Sequence, residues 1–529
     1  MDNYLKYLSR EAALGRLGRR EFLGRAAALG LTLPAATTLL SSSLLAAGPQ
    51  KGGHLKLGLE GGASTDVLDP AKCTSQVCFV VMRNWGDTLI EAHPTSGEPV
   101  PALAESWEAS PDAKVWTFKI RKGVQFHNGK EMTVDDVVAT LRRHSDEASQ
   151  SGALGIMKSV GEVKADGDSI VVSLPEGNAD LPLLMSDYHL VIQPNGGLDD
   201  PNAGIGTGPY KVASFEPGVR ITFEKNANDW RGDRGHVDSV EIVVLNDATA
   251  RTAALSSQQV HFINRVDPKT VDLLKRAPHI SIENTSARGH YVFIMHCDKE
   301  PFSNNDLRLA LKYAMDRETL VEKILRGFGK VGNDFPINET YALFPRDIEQ
   351  RTFDPDKAAF HFKKSGYDGS VLLRTSDVAF PGAVDAAVLY QESARKAGIN
   401  VEIKREPGDG YWSNVWNVQP FSTSYWGGRP TQDQMYTTAY YSKADWNDTK
   451  FIRPDFDKLL LAARAELDQV ERESMYREMA LMVRDEGGLI LPMFNDFINA
   501  VTNKVQGYVH DVGNDMSNGY VATRVWLTA

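Results

Sequence analysis

The sequence predicts an α/β protein of two or more lobes. Its 529 residues exceed what one hydrophobic core serves. Short strand-period and long helix-period segments interleave along the chain, the pattern of mixed layers. No tandem repeat or low-complexity block interrupts them, which excludes a solenoid or a disordered array.

From the N-terminus, residues 1–47 read as an export segment and are set aside from the fold. They carry six basic and three acidic side chains. Gly18-Arg19-Arg20-Glu21-Phe22-Leu23 precedes an Ala/Leu/Thr/Ser stretch from Ala26 to Ala47, and resembles a twin-arginine signal. Pro34 and Ser41-Ser42-Ser43 weaken it as a permanent membrane anchor. Cleavage is expected near Ala47, and no lipid-anchor cysteine follows, the first being Cys73. Cys73 and Cys78 are close enough to bridge, with Cys297 left over and expected buried. Removing the segment takes the net charge from −11 to −14, no footprint for nucleic acid.

His54–Leu59 reads as the opening strand, entering the Gly61-Gly62 loop. Trp116, Phe118 and Ile120 alternate with Val115, Thr117 and Lys119, a half-buried strand. Asn128-Gly129 supplies a tight reversal. Thr133 with Asp136 forms a capping box ahead of Val134, Val137, Val138 and Leu141 on one helical face. A long amphipathic helix is expected from Asn304 or Asn305 through Leu325, and another over Phe456–Glu486 with Leu459, Leu460, Ala463 and Leu467 inward. The tail ending in Val525-Trp526-Leu527 fits either lobe.

Catalytic signatures are missing from the sequence. There is no Gly-x-Ser-x-Gly elbow and no phosphate-binding Gly-x4-Gly-Lys-Ser/Thr string. Gly204-x-Gly206-x-Gly208 runs into Pro209 and reads as a turn rather than a dinucleotide loop. His290 and His296 lie six apart on a strand-like segment, roughly 20 Å, too far to share an ion. Neither His-x-x-x-His nor Cys-x-x-Cys occurs. No metal and no cofactor is expected.

Six strings stand in order along the chain: Leu68-Asp69-Pro70, Pro101–Trp107, Trp116–Gly129, Gly206-Thr207-Gly208-Pro209-Tyr210, Arg308–Arg317 and Asp354–Ala358. In this register the sequence resembles the dipeptide-, oligopeptide- and nickel-binding family of periplasmic solute-binding proteins of ABC importers (family 5, cluster C type). The resemblance implies a two-lobed periplasmic-binding-protein fold with a hinge and an enlarged N-terminal lobe. It divides the chain into residues 48–288 plus 500–529 and residues 289–499, with crossings near 286–291 and 495–502. It also implies a small molecule held between the lobes, ABC permease subunits and their ATPases as partners, and a monomer in the periplasm. The alternatives are a cofactor-containing enzyme exported in folded form, or a ligand sensor or chaperone on the same scaffold.

The family's peptide binders hold the ligand's amino group with the acid of a Trp-x-x-Asp string. Here the matching residues are Tyr425-Trp426-Gly427-Gly428-Arg429-Pro430, with arginine in place of the acid. This reversal implies either a carboxylate-bearing, peptide-like or amino-acid-derived ligand with Arg429 as its anchor, or an Arg429 that pairs with an acid of the protein and only shapes the pocket. The other assignment makes Asp433 the anchor. Tyr425, Trp426 and Trp412 read either as stacking platforms or as core residues, and Arg288 and Tyr291 at the first crossing complete the candidate set.

Overall fold

A computed structural model describes residues 48–528 except 74, 378, 408–410 and 445, and leaves out the side chains of 147, 155, 412 and 413. The expected export segment, residues 1–47, lies outside the described residues.

His54–Leu59 forms the middle of a seven-stranded sheet, flanked in parallel by Ser239–Val244 and Phe262–Ile263. Arg220–Lys225 and Tyr210–Glu216 extend one side, and Phe497–Thr502 and Ile280–Thr285 the other, all antiparallel to their neighbours. Leu55, Leu57 and Leu59 face a core completed by the helix Gln76–Trp85 and by Val521 and Val525. The C-terminal tail therefore belongs to this body, where Trp526–Leu527 pairs with Val505–Gln506.

A four-stranded sheet of Ala104–Ala109, Val115–Ile120, Ser169–Ser173 and Glu162–Asp166 is the insertion that enlarges this half. Trp116, Phe118 and Ile120 turn inward as their alternation predicts. Val137, Val138 and Leu141 of the helix Val134–Ser145 pack onto them, and Thr133 and Asp136 exchange both capping-box bonds. Gly206 and Gly208 are structural: a Cβ on either would sit 2.5–2.6 Å from the Trp85 backbone, so only glycine lets this loop approach the helix end.

The six-stranded second sheet runs Gly329–Val331, Leu489–Asn495, His290–Met295, Phe421–Trp426, Val371–Thr375, Val401–Arg405. The chain passes between the two sheets twice, through residues 286–289 and through Asp496. Phe497–Thr502 pairs wholly in the seven-stranded sheet, so residues 497–499 go with that sheet and not with the other, as the resemblance had divided them. The two halves also touch through the insertion, where Asp180 pairs with Arg472 at 2.8 Å and the Ala179 amide donates to the Arg464 carbonyl at 2.7 Å.

Two predicted helices are each two. The first stops at Tyr313 and restarts over Arg317–Lys323, because Asp316 turns back to accept the Thr319 amide. The second divides into Pro454–Ala465 and Gln469–Glu486, where the Asp468 carboxylate accepts the Val470 and Glu471 amides. A cap inside an apolar period ends one helix and starts the next without disturbing the period. Leu467 falls in that break and is 40% exposed, contrary to expectation. Cys73 and Cys78 are joined in a disulfide. Cys297 is half-buried rather than buried, lying two residues past the end of the strand His290–Met295. No helix among the described residues is long and apolar enough to cross a membrane.

Candidate ligand-binding cleft

The crossings fix which edges of the sheets face one another. Thr285 leads to His290 and Asn495 to Phe497, so each sheet presents the carboxyl ends of its parallel strands at the joined edge. Loops leaving those ends are where α/β sheets bind ligands.

On the seven-stranded side three loops leave Leu59, Val244 and Ile263. Arg251, 2% exposed, ties them together. Its Nη1 donates to the Leu245 carbonyl at 2.7 Å and its Nε to that of Asn264 at 3.1 Å. Its Nη2 reaches the Glu60 carboxylate at 2.6 Å and the Arg265 carbonyl at 3.2 Å. The buried Asn264 side chain accepts the Glu60 amide at 2.8 Å, and Asn246 accepts that of Gly61 at 3.0 Å. The loop backbones are thus fixed before any ligand arrives.

The six-stranded side is held by a second buried arginine. Arg288 lies over the Tyr341 ring, 4.4 Å from its centroid. Its Nη1 donates to the Arg429 and Pro430 carbonyls at 3.1 and 2.9 Å, and its Nη2 to the Thr340 carbonyl at 2.7 Å. The Arg429 amide donates to the Tyr341 hydroxyl at 3.1 Å. Gly428 completes the turn, since a Cβ there would overlap Arg288. Arg288 is therefore spent on protein carbonyls: it positions the 427–431 turn and has few donors left for a ligand.

Arg429 is half-buried at this turn, 5.7 Å from the Trp426 ring centroid. Its Nη1 donates to the Gly427 and Gly428 carbonyls at 3.1 and 3.2 Å. Among the described residues no carboxylate pairs with it. Burial lowers its pKa from the ordinary guanidinium value, the direction expected for a cation lacking a countercharge. Asp433 is no free anchor: it is buried and pairs with Arg464 at 2.9 Å.

The aromatic candidates divide by sheet face. Tyr291 and Tyr425 lie directly opposite in register, and Tyr291 stacks on Phe380 with centroids 4.4 Å apart and planes at 5°. Tyr425 is 51% exposed. Burial pushes the Tyr291 hydroxyl up to about 12. Trp426 points to the opposite face, into the core, where its Nε1 donates to Asp448 Oδ2 at 3.1 Å. Trp416 donates to the same oxygen at 3.0 Å. Burial without a paired cation raises Asp448 to about 7. Trp412 sits in the short helix Tyr411–Asn414, its side chain outside the described set.

Sequence reasoning missed Arg251, Arg265, Phe380 and Asp448. Nothing in spacing marks them, because each becomes a cleft or support residue only when separate strands end side by side. His290 and His296, at the two ends of one strand, are both buried. Among the described residues no three His, Cys, Asp or Glu side chains converge as a metal set.

Two sheet-centred bodies joined by two crossings, with loop clusters facing each other at the joined edge, are the two-lobed fold of periplasmic binding proteins. Solved structures share this fold. The chain overlays DppA from Helicobacter pylori in complex with peptide STSA at a TM-score of 0.73, 23% identity and coverage of 91% of this chain and 99% of that one. It overlays AgaA from A. tumefaciens R10 in complex with agropinic acid at 0.72, 23% identity and coverage of 90% and 99%. The dipeptide-binding protein of Escherichia coli K12 is 24% identical over 461 residues, 80% of this chain and 86% of that protein. The model of the bacterial extracellular solute-binding proteins, family 5 (middle), matches residues 98–448. The chain belongs to that family, and its role is substrate binding.

Proposed function

We propose that this chain is the exported, periplasmic substrate-binding component of an ABC importer, catalysing nothing and needing no cofactor. It works as a monomer and delivers its ligand to permease subunits driven by their ATPases. One lobe comprises residues 48–285 with 497–529 and the other residues 290–495, and closure brings their loop clusters onto a small molecule. That molecule is peptide-like or amino-acid-derived and carries a carboxylate. The observation that carries this reading is Arg429: a half-buried guanidinium, held by its own turn, with no carboxylate of the described protein beside it. A guanidinium cannot shed its proton there, and its planar fork fits two carboxylate oxygens. Tyr425 and the Tyr291–Phe380 stack offer a flat apolar wall. The named relatives bind a dipeptide, a peptide and agropinic acid, which is consistent with a carboxylate-bearing ligand here.

Calorimetry with the ligand that co-purifies tests the anchor. Arg429→Ala should weaken binding by about 2–5 kcal/mol, and Arg429→Lys should recover only part of it. Unchanged affinity in Arg429→Ala would refute the anchor. Export through the twin-arginine route is tested separately. Replacing Arg19 and Arg20 by lysine should leave the precursor inside the cell, and normal export of that variant would sink the assignment.

A further inference from the structure

We propose that Arg265 is a second ligand anchor, contributed by the opposite lobe, and that the ligand is therefore a diacid with one anionic group for each lobe. This rests on the reading of Arg429 above and names the ligand class more narrowly.

Arg265 stands at the carboxyl end of Phe262–Ile263, on the edge that faces the six-stranded sheet. Its φ is +48°, a left-handed conformation that a long side chain adopts only where the surroundings impose it. The surroundings here are specific. Arg251 holds the carbonyls on both sides of this position, Asn264 and Arg265, while the Val266 amide donates to the Ile498 carbonyl at 2.8 Å. The chain is pinned before and after Arg265, and its side chain is left half exposed.

Its charge is not balanced locally. Glu60 is the one carboxylate paired with it among the described residues, at 3.5 Å, and that carboxylate is already bonded to Arg251 at 2.6 Å. Two guanidiniums share the Glu60 carboxylate, while Asp515, the buried acid that also feels the Arg265 charge, is bonded to the Asn499 side chain and the Met516 amide rather than to Arg265. The loop carrying Arg265 leaves the edge that is joined to the Tyr291–Tyr425 sheet, and the Arg265 charge reaches the Tyr291 hydroxyl. Each lobe thus brings one arginine that has no carboxylate committed to it alone among the described residues. A ligand with a single carboxylate would satisfy one lobe and leave the other guanidinium enclosed and unmatched, at a desolvation cost. A ligand with two anionic groups satisfies both, and only with the lobes closed.

Alanyl-glutamate and alanyl-glutamine serve as matched probes, differing by one carboxylate, with titration calorimetry as the readout. Wild-type protein should prefer the glutamate peptide by about tenfold or more, as one charge-assisted hydrogen-bonded contact provides. Arg265→Gln should abolish that preference by weakening alanyl-glutamate, with alanyl-glutamine bound at least as well as before because no unmatched guanidinium is then enclosed. No preference in the wild type, or a preference that survives Arg265→Gln, overturns the proposal. If neither peptide binds, the co-purified ligand is methyl-esterified and weighed: two ionisable acid groups support the inference and one refutes it. Arg429→Ala separates the two readings. If it leaves both probes unchanged while Arg265→Gln still erases the preference, the Arg429 anchor fails and the Arg265 contact stands.

Discussion

Arg251 and Arg288 do the same work in opposite lobes by different electrostatic means. Each is almost fully buried and gathers the loops that leave its sheet at the cleft. Arg251 has a carboxylate, Glu60, among its partners. Arg288 has only carbonyls, a hydroxyl and the Tyr341 ring. Burial lowers the pKa of both; against that shift Arg251 gains the charge and a hydrogen bond of the Glu60 carboxylate, whereas Arg288 gains only the charges of Tyr341 and Asp511 without a bond to either. Nearness to the cleft therefore does not make an arginine a ligand contact. What decides is whether its donors are already consumed, as in Arg288, or left over, as in Arg429 and Arg265.

This comparison predicts unequal losses on truncation. Arg288→Ala strips partners from three buried or half-buried carbonyls and removes the prop beneath the 427–431 turn. It should destabilise by about 3–5 kcal/mol and also weaken ligand binding, since the Arg429 backbone loses its support. Arg251→Ala also strips carbonyls, but Leu245 is half-buried, Arg265 is exposed and Glu60 is 31% exposed, so water can take over most of its partners and the loss should be smaller, about 2–3 kcal/mol. Urea midpoints at matched pH measure both. Equal losses, or a larger one for Arg251, would break the contrast between a carbonyl-only clamp and a carboxylate-paired one.

The same contrast explains what the sequence revealed and what it concealed. Trp116–Phe118–Ile120, the Thr133 capping box and the opening strand at His54 were legible because each depends on neighbours within a few residues. The helix breaks at Asp316 and Asp468 were not, because an aspartate reads as a solvated residue until its carboxylate is seen on a backbone amide. At the site, Arg429 was legible as a departure from a known string. Arg288 was named for its place at the crossing, and its role as a clamp on the Arg429 turn, 141 positions away, has no local signature. Arg265 was invisible for a related reason: its environment is made by Glu60, Arg251 and Tyr291, which come from three different parts of the chain.

Glu60 and Asp448 extend the comparison to carboxylates. Glu60 faces two guanidiniums. Asp448 is fully buried, accepts the Trp416 and Trp426 indole N–H groups on one oxygen, and finds no partner for the other among the described residues. Its pKa rises from 3.8 to about 7, with burial the main cause. The folded protein therefore keeps a proton on Asp448 that the unfolded chain releases above about pH 4, so raising the pH favours unfolding until the folded group also ionises. Between about pH 5 and pH 7 the wild type should lose about 2 kcal/mol of stability relative to Asp448→Asn, which still offers the indoles an acceptor and has no proton to release. His144, His290 and His296, whose pKa values burial lowers, act in the opposite sense, losing stability as pH falls. They are common to both proteins and cancel in the difference. Denaturation curves for the pair at several pH values measure the effect, with tryptophan emission as the probe because Trp416 and Trp426 report on the same carboxylate. Parallel pH profiles would mean that Asp448 is ionised throughout this range and that its buried negative charge is tolerated without a cation.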